Sequence, residues 1–249
     1  SKDLLIDDKK VLTKPLGCEV IVHAPEQFEG DFVIDLFSDD RNIVEQSIKL
    51  LNMVFIKARK ISSLIGYEDK PKIIVNCGGH TTKGFLSDTD VKSMINNFAT
   101  SIEKLDFSGC RFLAQTMPPY PWHFGGQSFH NQFTSSENIN AILNSTDAKI
   151  EICLDTSHSY MWCNYSSENF NQFIDEISRH VTHIHISDAS GEAEEGLQIG
   201  EGDINFIHML DSLKSLKNNA TLLPEIWQGH DNFGAGFKTA LEKLNELHY

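Results

Sequence analysis

Residues 149–158 read KIEICLDTSH, an apolar run that closes on an aspartate, a threonine, a serine and a histidine. Residues 181–188 repeat the design as VTHIHISD. Nearly continuous apolar character over so few residues suits parallel strands covered on both faces, with ligand-type groups set at their carboxyl ends. Outward from this pair, Glu19–Ala24 (EVIVHA), Lys72–Cys77 (KIIVNC), Arg111–Thr116 (RFLAQT) and Ala220–Ile226 (ATLLPEI) read as strands of the same kind.

Amphipathic stretches separate the strands. From Arg41 to Ile65, apolar residues recur at Val44, Ile48, Leu51, Phe55, Ala58 and Ile65, with Asp39 or Asp40 to cap the start and Gly66 to end it. Asp90–Leu105, Ser167–Ser178, Asp203–Leu216 and Phe237–Leu247 follow as further helices. Strand–helix units of roughly forty residues predict an α/β fold with a parallel sheet and right-handed crossovers. A (β/α) barrel and an open doubly wound sheet both satisfy the pattern. Six units are visible, against the eight of a closed TIM-type barrel. Residues 1–18 hold one weak apolar stretch, Leu4-Leu5-Ile6, so the first one or two units are read as missing or reduced. Residues 1–249 are expected to form a single domain, part of a longer polypeptide or completed by a partner chain or a homo-oligomer, because an open arc exposes strand edges.

Composition narrows the function. The 249 residues are 40% hydrophobic and 22% charged, an ordinary globular balance, with a formal net charge of −14. A protein that grips phosphate backbones normally shows a basic face, and Lys57–Ala58–Arg59–Lys60 reads as a solvated helix face, so no nucleic-acid partner is expected. No apolar run approaches the roughly 20 residues of a membrane helix, and no leader pattern is seen, so the expectation is a cytoplasmic protein without a membrane partner. Five cysteines without CxxC spacing fit reduced thiols, Cys77 and Cys153 being small core residues.

The unusual polar residues fall at strand ends: His23, Asn76, Gln115, Asp155 with His158, His185 with Asp188, and Glu225. That edge is where barrels and open sheets put their chemistry. A buried carboxylate costs several kcal/mol unless something compensates it, and a divalent cation does so. Asp155, His185 and Glu225, with the amide oxygen of Gln115 as a fourth donor, suit one Mn²⁺ or Zn²⁺ ion. Plainer readings stand beside this one. His23 can be a strand-end histidine bonded to backbone, His183 a satisfied core histidine, Asp155 a helix cap, and Asp188 a partner behind the ligands or a turn residue. The flanking Leu222-Leu223-Pro224 and Ile226-Trp227 predict burial for Glu225.

HAP at 23–25, DTSH at 155–158, HISD at 185–188, GEGDIN at 200–205 and PEIW at 224–227 resemble, in that order, the xylose isomerase-like barrel superfamily. It includes sugar isomerases and epimerases, inosose dehydratases and metal-dependent apurinic/apyrimidinic endonucleases. The resemblance implies a metal held at Gln115, Asp155, His185 and Glu225, with His158 touching substrate. It implies a small-molecule sugar as partner and carbohydrate metabolism as the setting. Two departures are visible. Gln115 stands where the sugar epimerases carry glutamate, which removes one of two acid/base carboxylates. Asn76 and the loop 191–200 (GEAEEGLQIG) lack ligands that a trinuclear phosphodiesterase would need.

The reading is a metal-dependent sugar isomerase or epimerase, with Glu225 as general base and His158 as a polar partner to the developing oxyanion. Substrate contacts are assigned to His23, Asn76, His80, Trp122, His123, Asp188 and Trp227. The segment Met117–Asn131 (MPPYPWHFGGQSFHN) holds several of the aromatic and hydrogen-bonding groups a sugar site uses, though an aromatic plug over the barrel mouth is equally consistent with it. Alternatives are a polyol dehydratase or lyase, which needs one strong base, and a sugar-binding barrel with little turnover; GEGDIN reads either as an anion cradle or as a simple turn.

Overall fold

The computed structural model describes residues 18–121, 128–214, 216 and 219–247. Two compact units divide them: 18–79, 87–114 and 142–151 in one, and 80–86, 115–141 and 152–247 in the other. In each unit, parallel strands neighbour one another in chain order, as in a (β/α) barrel.

The first unit contains β1 (Ile21–His23), α1 (Arg41–Leu64), β2 (Lys72–Val75), α2 (Asp88–Ile102, from Ser87 on) and most of β3 (Arg111–Gln115). β2 pairs in parallel with both others, Ile73 standing opposite Val22 and Phe112. Asp40 caps α1 by accepting from the Asn42 N–H at 2.8 Å, and the stripe Val44, Leu51, Val54, Phe55 and Ala58 is buried. Gly66 (φ 72°) follows the helix end, as its sequence position predicts. The turn after β2 requires glycine at 78. Its φ is 89°, and a Cβ there would sit 2.4 Å from the Asp35 Cα. That close approach brings the Gly79 N–H to 3.0 Å from the Asp35 carboxylate.

The second unit takes its strands from β4 (Ile150–Asp155), β5 (Val181–Ile186) and β6 (Thr221–Pro224). β5 lies between the other two in parallel, with Asp155 opposite His185 and Leu223 opposite His185 on the other side. Helix α3 (Ser136–Asn144) precedes β4, α4 (Thr156–Ser166) and α5 (Phe170–Ile177) follow it, and α6 (Phe206–Lys214) and α7 (Asp231–Glu246) close the chain order. Asn232, Phe233 and Gly234 have left-handed backbone, so the regular part of α7 begins beyond them, near the expected Phe237. Helix α3 and the antiparallel pair Asp188–Ser190 with Glu194–Leu197 are not expected from the sequence, and α4 is expected only in so far as Asp155 reads as a helix cap.

All six expected strands are present, each one to three residues shorter than its apolar run. Among the described residues, β1 pairs with β2 alone and β6 with β5 alone. The fold is thus of the TIM-barrel class with six strand–helix units described, two short of eight. Residues 1–17, including Leu4-Leu5-Ile6, lie outside the described residues. No helix among those described is long and apolar enough to cross a membrane.

Candidate metal centre

Asp155 ends β4 and caps α4, and its two oxygens divide the tasks. Oδ1 accepts from the His158 N–H at 3.0 Å and from the Ser157 hydroxyl at 2.9 Å. Oδ2 faces inward, 3.0 Å from the Gln115 amide nitrogen, 3.5 Å from His158 Nδ1 and 3.8 Å from His185 Nδ1. Cap and ligand are therefore not alternatives for this residue. The Thr116 hydroxyl, which accepts from the Asp155 N–H at 2.9 Å, and Ser159, which donates to Thr116, hold the strand end in place.

His185 comes from the neighbouring position on β5, and Glu225 from the residue after β6, whose N–H bonds the Ile186 carbonyl at 3.0 Å. The Glu225 carboxylate lies 2.6 Å from His185 Nδ1. One donor atom each from Asp155, His185 and Glu225 lie within 4.8 Å of one another, a spacing one divalent ion can span. The donor set fits such an ion: two carboxylates and an imidazole, hard to borderline in character. Gln115 Nε2 also stands 3.3 Å from His185 Nδ1, so the amide presents its NH₂ to the cluster. Its oxygen would face an ion after half a rotation about the last side-chain bond.

The charges are mutually dependent. Burial works against ionised Asp155, but the imidazoles of His158 and His185 and the His158 N–H outweigh it and hold the carboxyl well below its usual range. Burial likewise opposes charge on His158, yet Asp155, Glu195 and Glu225 raise its pKa to about 10. His185 is raised well above its ordinary value against its own burial, by Cys153, Asp155 and Glu225. Protons on imidazoles here do what a cation would do: neutralise clustered carboxylates in a dry place.

One expectation is corrected. The Glu225 side chain is 49% exposed, not buried. The reason is its strand: β6 pairs with β5 alone among the described residues, and Leu223 and Trp227 beside it are likewise 50% and 57% exposed.

The other predicted residues fall into several places. His158 joins the cluster, its Nδ1 3.0 Å from the Thr116 carbonyl. Asp188 is turned to the backbone. Its oxygens accept from the N–H groups of Ala189, Gly200, Gly202 and Ile204, at 2.9 to 3.1 Å. The GEGDIN segment does cradle an anion, the chain's own Asp188. Trp227 donates its N–H to the Gly196 carbonyl at 2.7 Å. His80 sits in a short antiparallel pair, its ring 5.9 Å from that of His130. In the first unit, His23 Nδ1 lies 2.7 Å from the Ala24 carbonyl, the plainer of its two readings, and Asn76 donates to Glu26 at 2.5 Å. Trp122 and His123 lie outside the described residues.

Glu195 is the residue that sequence reading missed. Its carboxylate reaches His158 Nε2 at 3.1 Å from the outer strand of the Asp188–Leu197 pair. The acidic run Glu192, Glu194, Glu195 signals a carboxylate in this loop, but only the hairpin register selects which one turns back.

Comparison with known proteins supplies the context. Two proteins of Methanocaldococcus jannaschii align in part: uncharacterized protein MJ1614, 41% identical over 68 residues (27% of this chain, 25% of its own length), and MJ1311, 29% identical over 125 residues (49% and 39%). The aligned segments span well under half of either relative. Among solved structures, a D-tagatose 3-epimerase-like protein superposes over 100% of this chain and 85% of its own, with a TM-score of 0.68 and 19% identity. An L-ribulose 3-epimerase covers 94% of this chain and 80% of its own, at a TM-score of 0.62 and 16% identity. At such identities these show a shared fold. The sequence profile described as a xylose isomerase-like TIM barrel matches residues 2–247, and with the strand order and ordered motifs above, the chain belongs to that family.

Proposed function

We propose that the chain is a metal-dependent isomerase or epimerase acting on a sugar or sugar derivative. The convergence of Asp155, His185 and Glu225 at the ends of adjacent parallel strands carries this reading. Mn²⁺ or Zn²⁺ suits those donors, with Gln115 turned to offer its oxygen. When bound, the ion supplies Lewis-acid polarisation of a carbonyl–hydroxyl pair.

The side chains do the rest. Glu225, half exposed and 2.6 Å from His185, takes the proton from the carbon beside the carbonyl. His158 holds a proton between Glu195 and Asp155 and donates it toward the developing oxyanion. Glu195 fixes the orientation of that ring. Gln115 can donate a hydrogen bond but cannot accept a carbon-bound proton. A single carboxylate base can shuttle a proton between adjacent carbons, which is isomerisation. Inversion at one carbon needs a second proton carrier on the opposite face, and His158 is the nearest group able to serve. The same single-base arrangement favours a second reading, dehydration of a polyol.

The test begins with protein purified without chelator. Elemental analysis should find about one equivalent of divalent metal, with Asp155, His185 and Glu225 at roughly 2.0–2.3 Å in a metal-loaded structure. A panel of ketoses and aldoses, free and phosphorylated, is then incubated in D₂O. Deuterium at a carbon next to the carbonyl, lost on chelation and in Glu225→Gln, supports the reading. Protein that stays metal-free and fails to bind added Mn²⁺ or Zn²⁺ would sink it.

A further inference from the structure

One layer below the candidate centre, β4 and β5 set Cys153 opposite His183, just as they set Asp155 opposite His185. Side chains two apart on a strand share a face, so the two pairs are stacked. The Cys153 sulfur and a ring nitrogen from each of His183 and His185 lie within 4.8 Å of one another. All three residues are buried. The two imidazole rings are 5.2 Å apart and nearly perpendicular, at 86°. His183 Nδ1 is 2.8 Å from the Thr221 hydroxyl on β6, which orients the ring as outer partners orient metal-bound imidazoles.

We propose that Cys153, His183 and His185 form a second cation site, selective for thiophilic ions such as Zn²⁺ and Cd²⁺. One thiolate and two imidazoles prefer such ions, whereas the carboxylate-rich set above prefers harder ones. Coordination replaces the Cys153 S–H proton, which leaves to solvent. His185 belongs to both sets. A soft ion held below therefore draws a ligand from the centre above and opposes its loading. The lower site does not depend on the function proposed for the upper one.

The test is a Cd²⁺ titration of the full chain, stripped of metal, followed by the ultraviolet thiolate-to-cadmium charge-transfer band. Wild type should saturate near one equivalent, and the Cd²⁺-loaded protein should bind Mn²⁺ about tenfold more weakly or worse. Cys153→Ser should lose the band. Cys163→Ser, which alters a buried thiol outside the triad, should keep it. No band in wild type, or an undiminished band in Cys153→Ser, overturns the proposal. Should Cys153→Ser fail to fold by thermal unfolding, His183→Asn decides. Cd²⁺ binding weakened about tenfold supports the site, and unchanged affinity overturns it.

Discussion

Gln115→Glu would set a third carboxylate beside Asp155 and Glu225, within about 3 Å of Asp155 Oδ2. Like charges at that distance repel unless a cation lies between them. Metal-free variant should therefore melt lower than wild type, while metal-loaded variant binds the ion more tightly and catalyses the native reaction less well. Unchanged melting and unchanged affinity would show that position 115 does not face the ion. Glu195→Gln keeps the shape of its contact with His158 and removes the charge. It should lower kcat/KM about ten- to hundredfold with metal content intact; loss of metal in step with activity would assign Glu195 to the ligand set instead. Asp35 reports on the fold alone. Burial raises its pKa from 3.8 to about 6, against the N–H bonds of Phe37 and Gly79. The folded state thus holds the proton more tightly than the unfolded chain. The associated stability is full below pH 3.8 and lost as pH rises through about 6. Asp35 retains some solvent contact, so the change is about 1–2 kcal/mol. Denaturant titrations should show Asp35→Asn flattening that part of the pH profile, and an unchanged slope would contradict it.

The hairpin of Asp188–Ser190 and Glu194–Leu197 is the least expected element and the one that delivers Glu195. Its base is tied by Asp188 to residues 200–204, and Gly202 permits the approach. A Cβ at 202 would sit 2.3 Å from the Ala189 carbonyl oxygen. Gly202→Ala should therefore displace the loop, costing about 1–3 kcal/mol and most activity, with metal affinity largely kept. Thermal unfolding and metal titration separate the two effects. What was legible follows from what each element buries. Strands such as Val181–Ile186 are apolar throughout, and α1 carries an apolar stripe, so both announce themselves. Helix α4 does not, because its buried face is Thr156, Ser157, Ser159, Met161 and Cys163, mostly small and polar. The triad was readable because strand ends are fixed by the strands. Glu195 is not, since a loop carboxylate is selected by register, and Glu225 is exposed despite its apolar neighbours because these imply burial only where another strand covers them.

The whole chain carries a net charge of −14. Self-repulsion of that size weakens the folded state and is screened by salt. Raising NaCl from about 20 mM to about 300 mM should lift the melting temperature by roughly 1–4 °C. An unchanged or lower value would show that the acidic groups are already compensated locally. Among the described residues, β6 is paired on one side only. Leu223 there is 50% exposed, and Phe233 nearby in sequence is 98% exposed. We propose that further polypeptide, from a longer chain or a second copy, covers the ends of the sheet. Leu223→Lys should reduce self-association in sedimentation while leaving the melting temperature of the monomer within about a degree. Equal association in both proteins would mean that this edge is not the contact.

The divided carboxylate of Asp155 has an evolutionary consequence. One oxygen caps the helix and the other faces the proposed metal site, so the two pressures can be pulled apart by drift. A lineage that abandons the reaction still needs an acceptor to start α4, and Asn, Ser and Thr supply one. Position 225 has no such second duty. In a mutant library selected only for soluble, folded protein, position 155 should stay confined to those short polar residues while position 225 diversifies freely.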